Sequence, residues 1–333
     1  MITATVAICT HNRAQLVTRA IEPAVAQGQA CQAEVLVVDN ASTDDTPGVL
    51  ARMARDAAPT LHVVREPRLG LSAARNRALV EASADVVVFL DDDAVPRPGW
   101  LRALLDTYAN RDVACAGGPI VSQFFSPPPS WLTQQFHPVL SAYDLGPHAR
   151  RLRNCPSWEY PFGGNTSFRV STARALGGFS TRFGLRGGRQ LAHEETDLCL
   201  RIDRAGGEIH YVPGAVIDHW ILPERLTPAF LLARYRQRGE SAAYFELRNR
   251  GLLGALAHLR RYYGSALRAA PYRVREPIDP MRLLHECRRR EAFGYLGGLA
   301  RGIPLLPLLR RDMRASAPSR EADGTLTCTE PKA

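Results

Sequence analysis

Several lacks in this chain remove whole classes of protein. There is no CxxC pair. The seven cysteines (Cys9, Cys31, Cys115, Cys155, Cys199, Cys287 and Cys328) are scattered and odd in number. That argues against a disulfide framework or a zinc ribbon and for a reducing compartment. Cys9 and Cys199 stand in apolar patterns and are expected to be buried small hydrophobes. No apolar run reaches the ~18 residues of a membrane-spanning helix. The opening MITATVAICTHNR has no basic segment ahead of its apolar stretch, so no signal peptide is expected. A cytoplasmic protein follows, either free or peripheral at the inner face of the plasma membrane. Nor is there an internal repeat at a solenoid period.

What is present suits a folded protein. The 333 residues are 45% hydrophobic and 23% charged, enough for one large domain with an extension. The formal net charge is +9, carried mostly by arginine. A basic surplus favours nucleic acid, anionic lipid or phosphate-bearing substrates without choosing among them.

The first half alternates strand and helix signals. Strands are expected at residues 5–9, 34–39, 61–64 and 85–90, with helices at 13–28, 44–58 and 71–83 between them. The run Glu34-Val35-Leu36-Val37-Val38-Asp39 is apolar throughout, as a parallel strand buried on both faces requires. The order implies an α/β, doubly wound, mostly parallel sheet. Further on, 97–109 and 189–206 read as helices, and 113–118 and 208–217 as strands. The stretch 122–161, rich in proline and aromatics, reads as a functional loop. From 227 onward the spacing is helical over 227–250, 252–270 and 280–301. The division expected is 1–222 for a catalytic domain, 223–314 for a helical C-terminal extension and 315–333 for a disordered tail.

Parallel sheets bind ligands at the carboxyl ends of their strands. Asp39 ends the second strand, and Asp91-Asp92-Asp93 end the fourth. Three adjacent carboxylates repel one another, and a divalent cation offsets that. Mg²⁺ and Mn²⁺ take oxygen ligands and bridge carboxylates to a diphosphate. The bland alternative is a solvated acidic turn. Asp39 suits a hydrogen bond to a nucleotide base, or a strand-end turn in which Asn40 or Ser42 caps the next helix. Arg75, in Gly70-Leu71-Ser72-Ala73-Ala74-Arg75-Asn76, suits a phosphate at a helix start or a pairing with the acidic cluster. Gly163-Gly164-Asn165 allows close approach of backbone to a ligand, or marks a bulge at a sheet edge. Glu194 and Glu195 open a helix; they are candidates for a general base or simply favour the helix dipole. His219, in Asp218-His219-Trp220 at the end of a late strand, is a candidate metal ligand or a structural histidine.

As a set these segments resemble family 2 glycosyltransferases with the GT-A fold. The matching text is Val6-Ala7-Ile8-Cys9-Thr10-His11-Asn12-Arg13, Val37-Val38-Asp39-Asn40-Ala41-Ser42-Thr43-Asp44, Gly70 to Asn76, Phe89-Leu90-Asp91-Asp92-Asp93, Gly163-Gly164-Asn165, and Glu194-Glu195-Thr196-Asp197-Leu198-Cys199-Leu200-Arg201. They occur in the family's order and span roughly residues 3–240. The resemblance implies that Thr10 and Arg13 border the nucleotide and that Asp39 binds its base. Asp91 and Asp93 match the outer carboxylates of the family's DxD motif, and His219 a late histidine that completes its metal site. Arg75, Asp92, Gly164 and Asn165 join the expected donor-binding set. The family's Glu-Asp pair, whose second member is usually the base, aligns with Glu194-Glu195. The activity implied is transfer of a single sugar, with inversion, from a nucleotide-diphosphate sugar (UDP or dTDP) to a saccharide or lipid-linked acceptor, with Mg²⁺ or Mn²⁺ as cofactor. The processive members' QxxRW motif is absent; Arg236-Gln237-Arg238-Gly239 does not match it.

Three rival readings remain. A nucleotidyltransferase would carry a glycine-rich loop after its first strand, and Thr10-His11-Asn12-Arg13 has no glycine. A nucleic-acid-binding protein would need a basic stripe with interleaved aromatics, whereas the basic residues here are dispersed; no nucleic-acid partner is expected. A relative that binds without catalysing would have no need of all these carboxylates. In the tail, Leu252, Leu253, Leu256, Leu259, Tyr262 and Tyr263 accompany Arg260 and Arg261. This pattern suits a helix lying on an anionic membrane or one packed against the domain.

Overall fold

The computed structural model describes residues 2–181, 184–186, 189–306, 319–320 and 326–327. The tail expected to be disordered lies almost wholly outside the described residues, as does the end of the expected extension, 307–314.

The first half is β1 (Ala4–Thr10), α1 (Val17–Cys31), β2 (Glu34–Asp39), α2 (Thr46–Asp56), β3 (Leu61–Arg65), α3 (Leu71–Glu81) and β4 (Val86–Asp91). Val35, Val37 and Val38 of β2 and Val86, Val87 and Val88 of β4 are fully buried. Helices cover both faces, so neither strand alternates. There follow β5 (Ala94–Pro96), α4 (Trp100–Thr107), β6 (Val113–Gly117), β7 (Ile120–Phe124), β8 (Arg150–Leu152), β9 (Asn165–Arg169), α5 (Val170–Ala175), β10 (Gly184–Arg186), β11 (Arg189–Leu191), α6 (Glu194–Arg204), β12 (Glu208–Tyr211) and β13 (Ile217–Ile221).

The main sheet has eight strands in the order β3-β2-β1-β4-β9-β6-β12-β8. Only β9 and β8 run against the rest. Register sets up the site. Parallel pairing puts Thr10 beside Asp39 and Cys9 beside Asp91. Antiparallel pairing of β9 with β4 puts Asn165 opposite Leu90. Gly163-Gly164 therefore arrives where β4 ends. These glycines form the turn that leads into β9, a central strand, and not a bulge at the sheet edge. A second sheet, β5-β13-β7, stands beside the acidic turn, with His219 opposite Ala94.

Three expectations about elements change. The segment 189–206 is strand β11 followed by helix α6, separated by His193 at φ 84°. The segment 208–217 splits into β12 of the main sheet and β13 of the small one, so His219 lies within a strand. The stretch 122–161 is more ordered than a loop. It holds the end of β7, all of β8 and two 3₁₀ turns, Gln134–Leu140 and Ser157–Glu159. Its Trp131, Phe136 and Leu140 form a second core with Leu231, Tyr235, Leu283 and Cys287.

The C-terminal helices are α7 (Pro228–His258), a π-helical turn (Leu259–Tyr263), α8 (Gly264–Arg268) and α9 (Pro280–Gly302). Thr227 caps α7 by accepting the Phe230 N–H at 3.2 Å, and Asp279 caps α9 through the Met281 N–H at 2.9 Å. Gly251, at φ 71°, kinks α7. The helices cross where glycines leave room. A Cβ on Gly239 would strike the Glu291 carbonyl, and one on Gly294 the Arg236 carbonyl. Among the described residues no helix is long and apolar enough to cross a membrane.

Candidate active site

Two loops form the wall at the ends of β1 and β2. The Asn12 side-chain oxygen accepts the N–H groups of Thr43 at 2.8 Å and Asp44 at 3.3 Å, while Ser42 Oγ accepts the Asn12 N–H at 3.0 Å. Asn40 Nδ2 donates to the Arg68 carbonyl at 2.8 Å, and its Oδ1 accepts the Gly70 N–H at 2.8 Å. Asp39 is buried and accepts the Ser42 N–H at 3.1 Å. Helix α2 starts later than Ser42, at Thr46, whose N–H bonds to Asp44. The loops from three strand ends are thus tied together before any ligand arrives.

The floor is acidic and centres on Arg75. This guanidinium is almost completely buried. It bonds to Glu194 Oε1 at 2.9 Å, and it lies 3.5 Å from Asp91 Oδ1 and 3.9 Å from Glu195 Oε2. Burial works against its charge, and Glu194, Asp91 and Glu195 more than offset that. Gly163 and Gly164 fit around this cluster. A Cβ on Gly163 would land on the Arg75 guanidinium, and one on Gly164 would stand 2.6 Å from Asp91 Oδ2. The glycines are needed for space, since neither has a positive φ.

The two glutamates differ. Glu194 is the more buried and is held by Arg75. Burial first, then the neighbouring Glu195 charge, pushes its pKa up to about 7. Its Oε2 is buried without a hydrogen-bond partner. Glu195 is more open, with its side chain 14% exposed, and only grazes Arg75. Burial raises its pKa too, against the pull of Arg75. Strain marks this helix start: His193 is a non-glycine residue in the left-handed region. Its ring packs on Phe245 of α7 at 5.2 Å, and burial lowers its pKa to about 4.

The acidic triplet divides its work. Asp91 faces Arg75. Asp92 accepts the Thr10 hydroxyl at 2.7 Å and lies 3.9 Å from Arg13. Burial and the Asp93 charge push Asp92 up to about 7. Asp93 turns the other way, with Oδ1 3.2 Å from His219 Nε2 and Oδ2 3.2 Å from Arg225 Nη2. Burial would raise Asp93, but His219 and Arg225 outweigh it and hold the pKa at about 2. The structure thus brings Asp93 and His219 together and leaves Asp91 outside the pair. Among the described residues no three His, Cys, Asp or Glu side chains converge as a finished metal cage.

Asn165 is a correction. It was expected on the donor side, yet its amide is spent in the core. Its Oδ1 accepts Trp100 Nε1–H at 2.8 Å, and its Nδ2 donates to the carbonyls of Ala215 at 2.7 Å and Pro119 at 3.0 Å. It anchors the double-glycine turn. Cys199 is fully buried as expected, whereas Cys9 is only partly so. Two arginines were overlooked. Arg225 follows β13. Arg234 of α7 has its pKa lowered by burial and by Arg225, while Glu194 and Glu195 oppose the shift. No motif marks either, although Arg225 stands only six residues after His219.

The family model for glycosyl transferase family 2 matches residues 5–177, just over half of the chain. The chain belongs to glycosyl transferase family 2. The match runs from β1 past the double-glycine turn, and the central sheet with its cleft is the fold such a match implies. The glycosyltransferase is 27% identical over 248 residues to glucosyl-dolichyl phosphate glucuronosyltransferase of Haloferax volcanii, covering 73% of this chain and 77% of that one. It is 26% identical over 239 residues to the succinoglycan biosynthesis protein ExoM of Rhizobium meliloti, covering 71% and 72%. Among solved structures it is similar to the mannosyltransferase PcManGT from Pyrobaculum calidifontis in complex with GDP-Man and Mn²⁺. The TM-score is 0.54 at 22% identity, covering 92% of this chain and 78% of that one. That likeness shows the GT-A fold. The chain is therefore an enzyme that transfers a sugar from a nucleotide-sugar donor.

Proposed function

We propose that this glycosyltransferase moves one sugar, with inversion, from a UDP or dTDP sugar to a hydroxyl of a saccharide or lipid-linked acceptor. The observation that supports this is that Asp39 and Asp91 end strands flanking β1, and that Arg75 joins Asp91 to Glu194 and Glu195. Asp39 and Thr10, on adjacent strand ends, receive the nucleoside. Arg13 and the ends of the loops border its phosphates. Glu195 is the general base. It is the less engaged glutamate, and its raised pKa suits taking a proton from a hydroxyl near neutrality. Glu194 and Arg75 position it. Attack by the acceptor oxygen on the face opposite the leaving nucleotide inverts the anomeric carbon.

The donor set at Asp93 and His219 fits Mg²⁺ or Mn²⁺. His219 Nδ1 lies 3.2 Å from the Leu140 carbonyl, to which it donates, so in the neutral ring Nε2 is the nitrogen left for a metal. That nitrogen lies 3.2 Å from Asp93 Oδ1. Two neighbouring ligands of an octahedral ion with bonds of about 2.1 Å stand about 3 Å apart. Such a cation would be held by two protein ligands and by the donor's diphosphate, and would stabilise charge on the departing nucleotide. The PcManGT structure contains Mn²⁺, which supports the same choice.

A lipid-linked acceptor agrees with the name of the Haloferax relative. It also agrees with the last turns of α7, where Leu252, Leu253 and Leu256 are exposed beside Arg250, followed by Arg260, Arg261 and exposed Tyr262. We assign this face to peripheral contact with an anionic membrane on its cytoplasmic side. A panel of UDP, dTDP and GDP sugars with Mn²⁺, read by thermal shift and donor hydrolysis, tests the reading. One UDP or dTDP sugar should both stabilise the protein and be hydrolysed. Stabilisation by none of the panel would sink the proposal.

A further inference from the structure

Arg225 ends the 3₁₀ turn Pro223–Arg225 that follows β13. Its guanidinium reaches back over the pair just described, with Nη2 3.2 Å from Asp93 Oδ2 and Nη1 3.4 Å from His219 Nε2. One fork thus touches both groups that would hold the divalent ion. Positive charge is required there. The Leu140 carbonyl accepts from Nδ1–H, so in the neutral ring the Nε2 lone pair faces a carboxylate oxygen 3.2 Å away. Two acceptors at that distance repel unless a cation or a proton serves both.

The three groups differ in how firmly they are held. Asp93 and His219 are nearly buried and fixed from behind: the Trp220 N–H donates to the Asp93 carbonyl at 2.9 Å, and Leu140 holds the ring. Arg225 is a quarter exposed on a short turn, and its guanidinium bonds to Asp93 and His219. A buried acidic site faced by a partly exposed cation is open to exchange of that cation.

We propose that Arg225 is the resident cation of the Asp93–His219 pair, holding the place of the divalent ion until that ion displaces it. The inference rests on reading Asp93 and His219 as metal ligands. It makes the guanidinium an intramolecular competitor. The apparent affinity for metal is then lowered by the fraction of molecules in which Arg225 occupies the pair.

The test is Mn²⁺ binding to the full chain without nucleotide, followed by electron paramagnetic resonance of the free ion. Wild type is compared with Arg225→Gln and Arg225→Ala, which remove the charge from an exposed turn, and circular dichroism verifies folding. Both variants should bind Mn²⁺ about fivefold or more tightly than wild type, the lower end of ordinary coupling between sites. An affinity equal to or weaker than that of wild type, in folded variants that bind Mn²⁺, overturns the role of Arg225 and leaves the ligand pair standing. Failure of wild type and variants alike to bind Mn²⁺, even with a nucleoside diphosphate present, overturns the ligand assignment and this inference with it.

Discussion

Arg75 shows how a single side chain organises the chemistry. Its helix start suited a phosphate or a pairing with the acidic cluster, and the structure pairs the guanidinium with three carboxylates, Glu194, Asp91 and Glu195. It holds Glu194 more tightly than Glu195, which supports the proposal of Glu195 as the base. Replacing Glu195 by Gln keeps the volume and removes the base. Transfer should fall on the order of a thousandfold, while nucleotide-sugar affinity, measured by calorimetry, stays within about twofold. Retained turnover would remove Glu195 from the mechanism. The pH profile carries a second expectation. Burial raises Glu195, so its unprotonated form is lost at a higher pH than that of an ordinary glutamate with a pKa of about 4.3. The acid limb of kcat/KM should therefore lie above that value, with activity falling as pH drops from neutrality. A limb at or below about 4.3 would contradict the assignment.

Elements decide how much of this could be read beforehand. The strands β1, β2 and β4 were legible because burial on both faces forces unbroken apolar runs, and the acidic residues that stop those runs mark the cleft. Helix α6 was legible, but its start was not. His193 stands at φ 84° with its ring packed on Phe245, and spacing of apolar residues carries no trace of either. The 3₁₀ turns around Trp131 and Phe136 are too short to show a period, so an ordered pad looked like a loop. Asn165 was misplaced because its sequence neighbours face the cleft while its own amide faces Trp100. Helix α6 is locked to α7 by Asp197, which is fully buried and receives Arg248 Nε at 2.8 Å and Arg201 Nε at 3.0 Å. Changing Asp197 to Asn removes the carboxylate that these two buried guanidiniums share. The expected loss is ~3–5 kcal/mol of stability by urea unfolding; a loss under about 1 kcal/mol would show that the lock lies elsewhere.

The whole molecule joins a nucleotide-sugar cleft to a helical layer whose far end carries exposed leucines among arginines. If this face meets a membrane as proposed, its basic charge would attract anionic lipid and the leucines would add burial on contact. The full chain should float with anionic vesicles at low salt and less at high salt, and Leu253→Asp should weaken flotation without altering donor hydrolysis. A protein that stays in the soluble fraction at low salt has no such face.

Nucleoside diphosphate and cation are proposed to meet at the ends of β1, β2 and β4. A crystal grown with Mn²⁺ and UDP or dTDP, and measured at an energy where manganese scatters anomalously, would show where they bind. One strong anomalous peak is expected between the Asp93 carboxylate and His219 Nε2, touching the diphosphate, with the base against Asp39. A diphosphate bound in this cleft with manganese elsewhere, or a nucleotide bound away from Asp39, would contradict it.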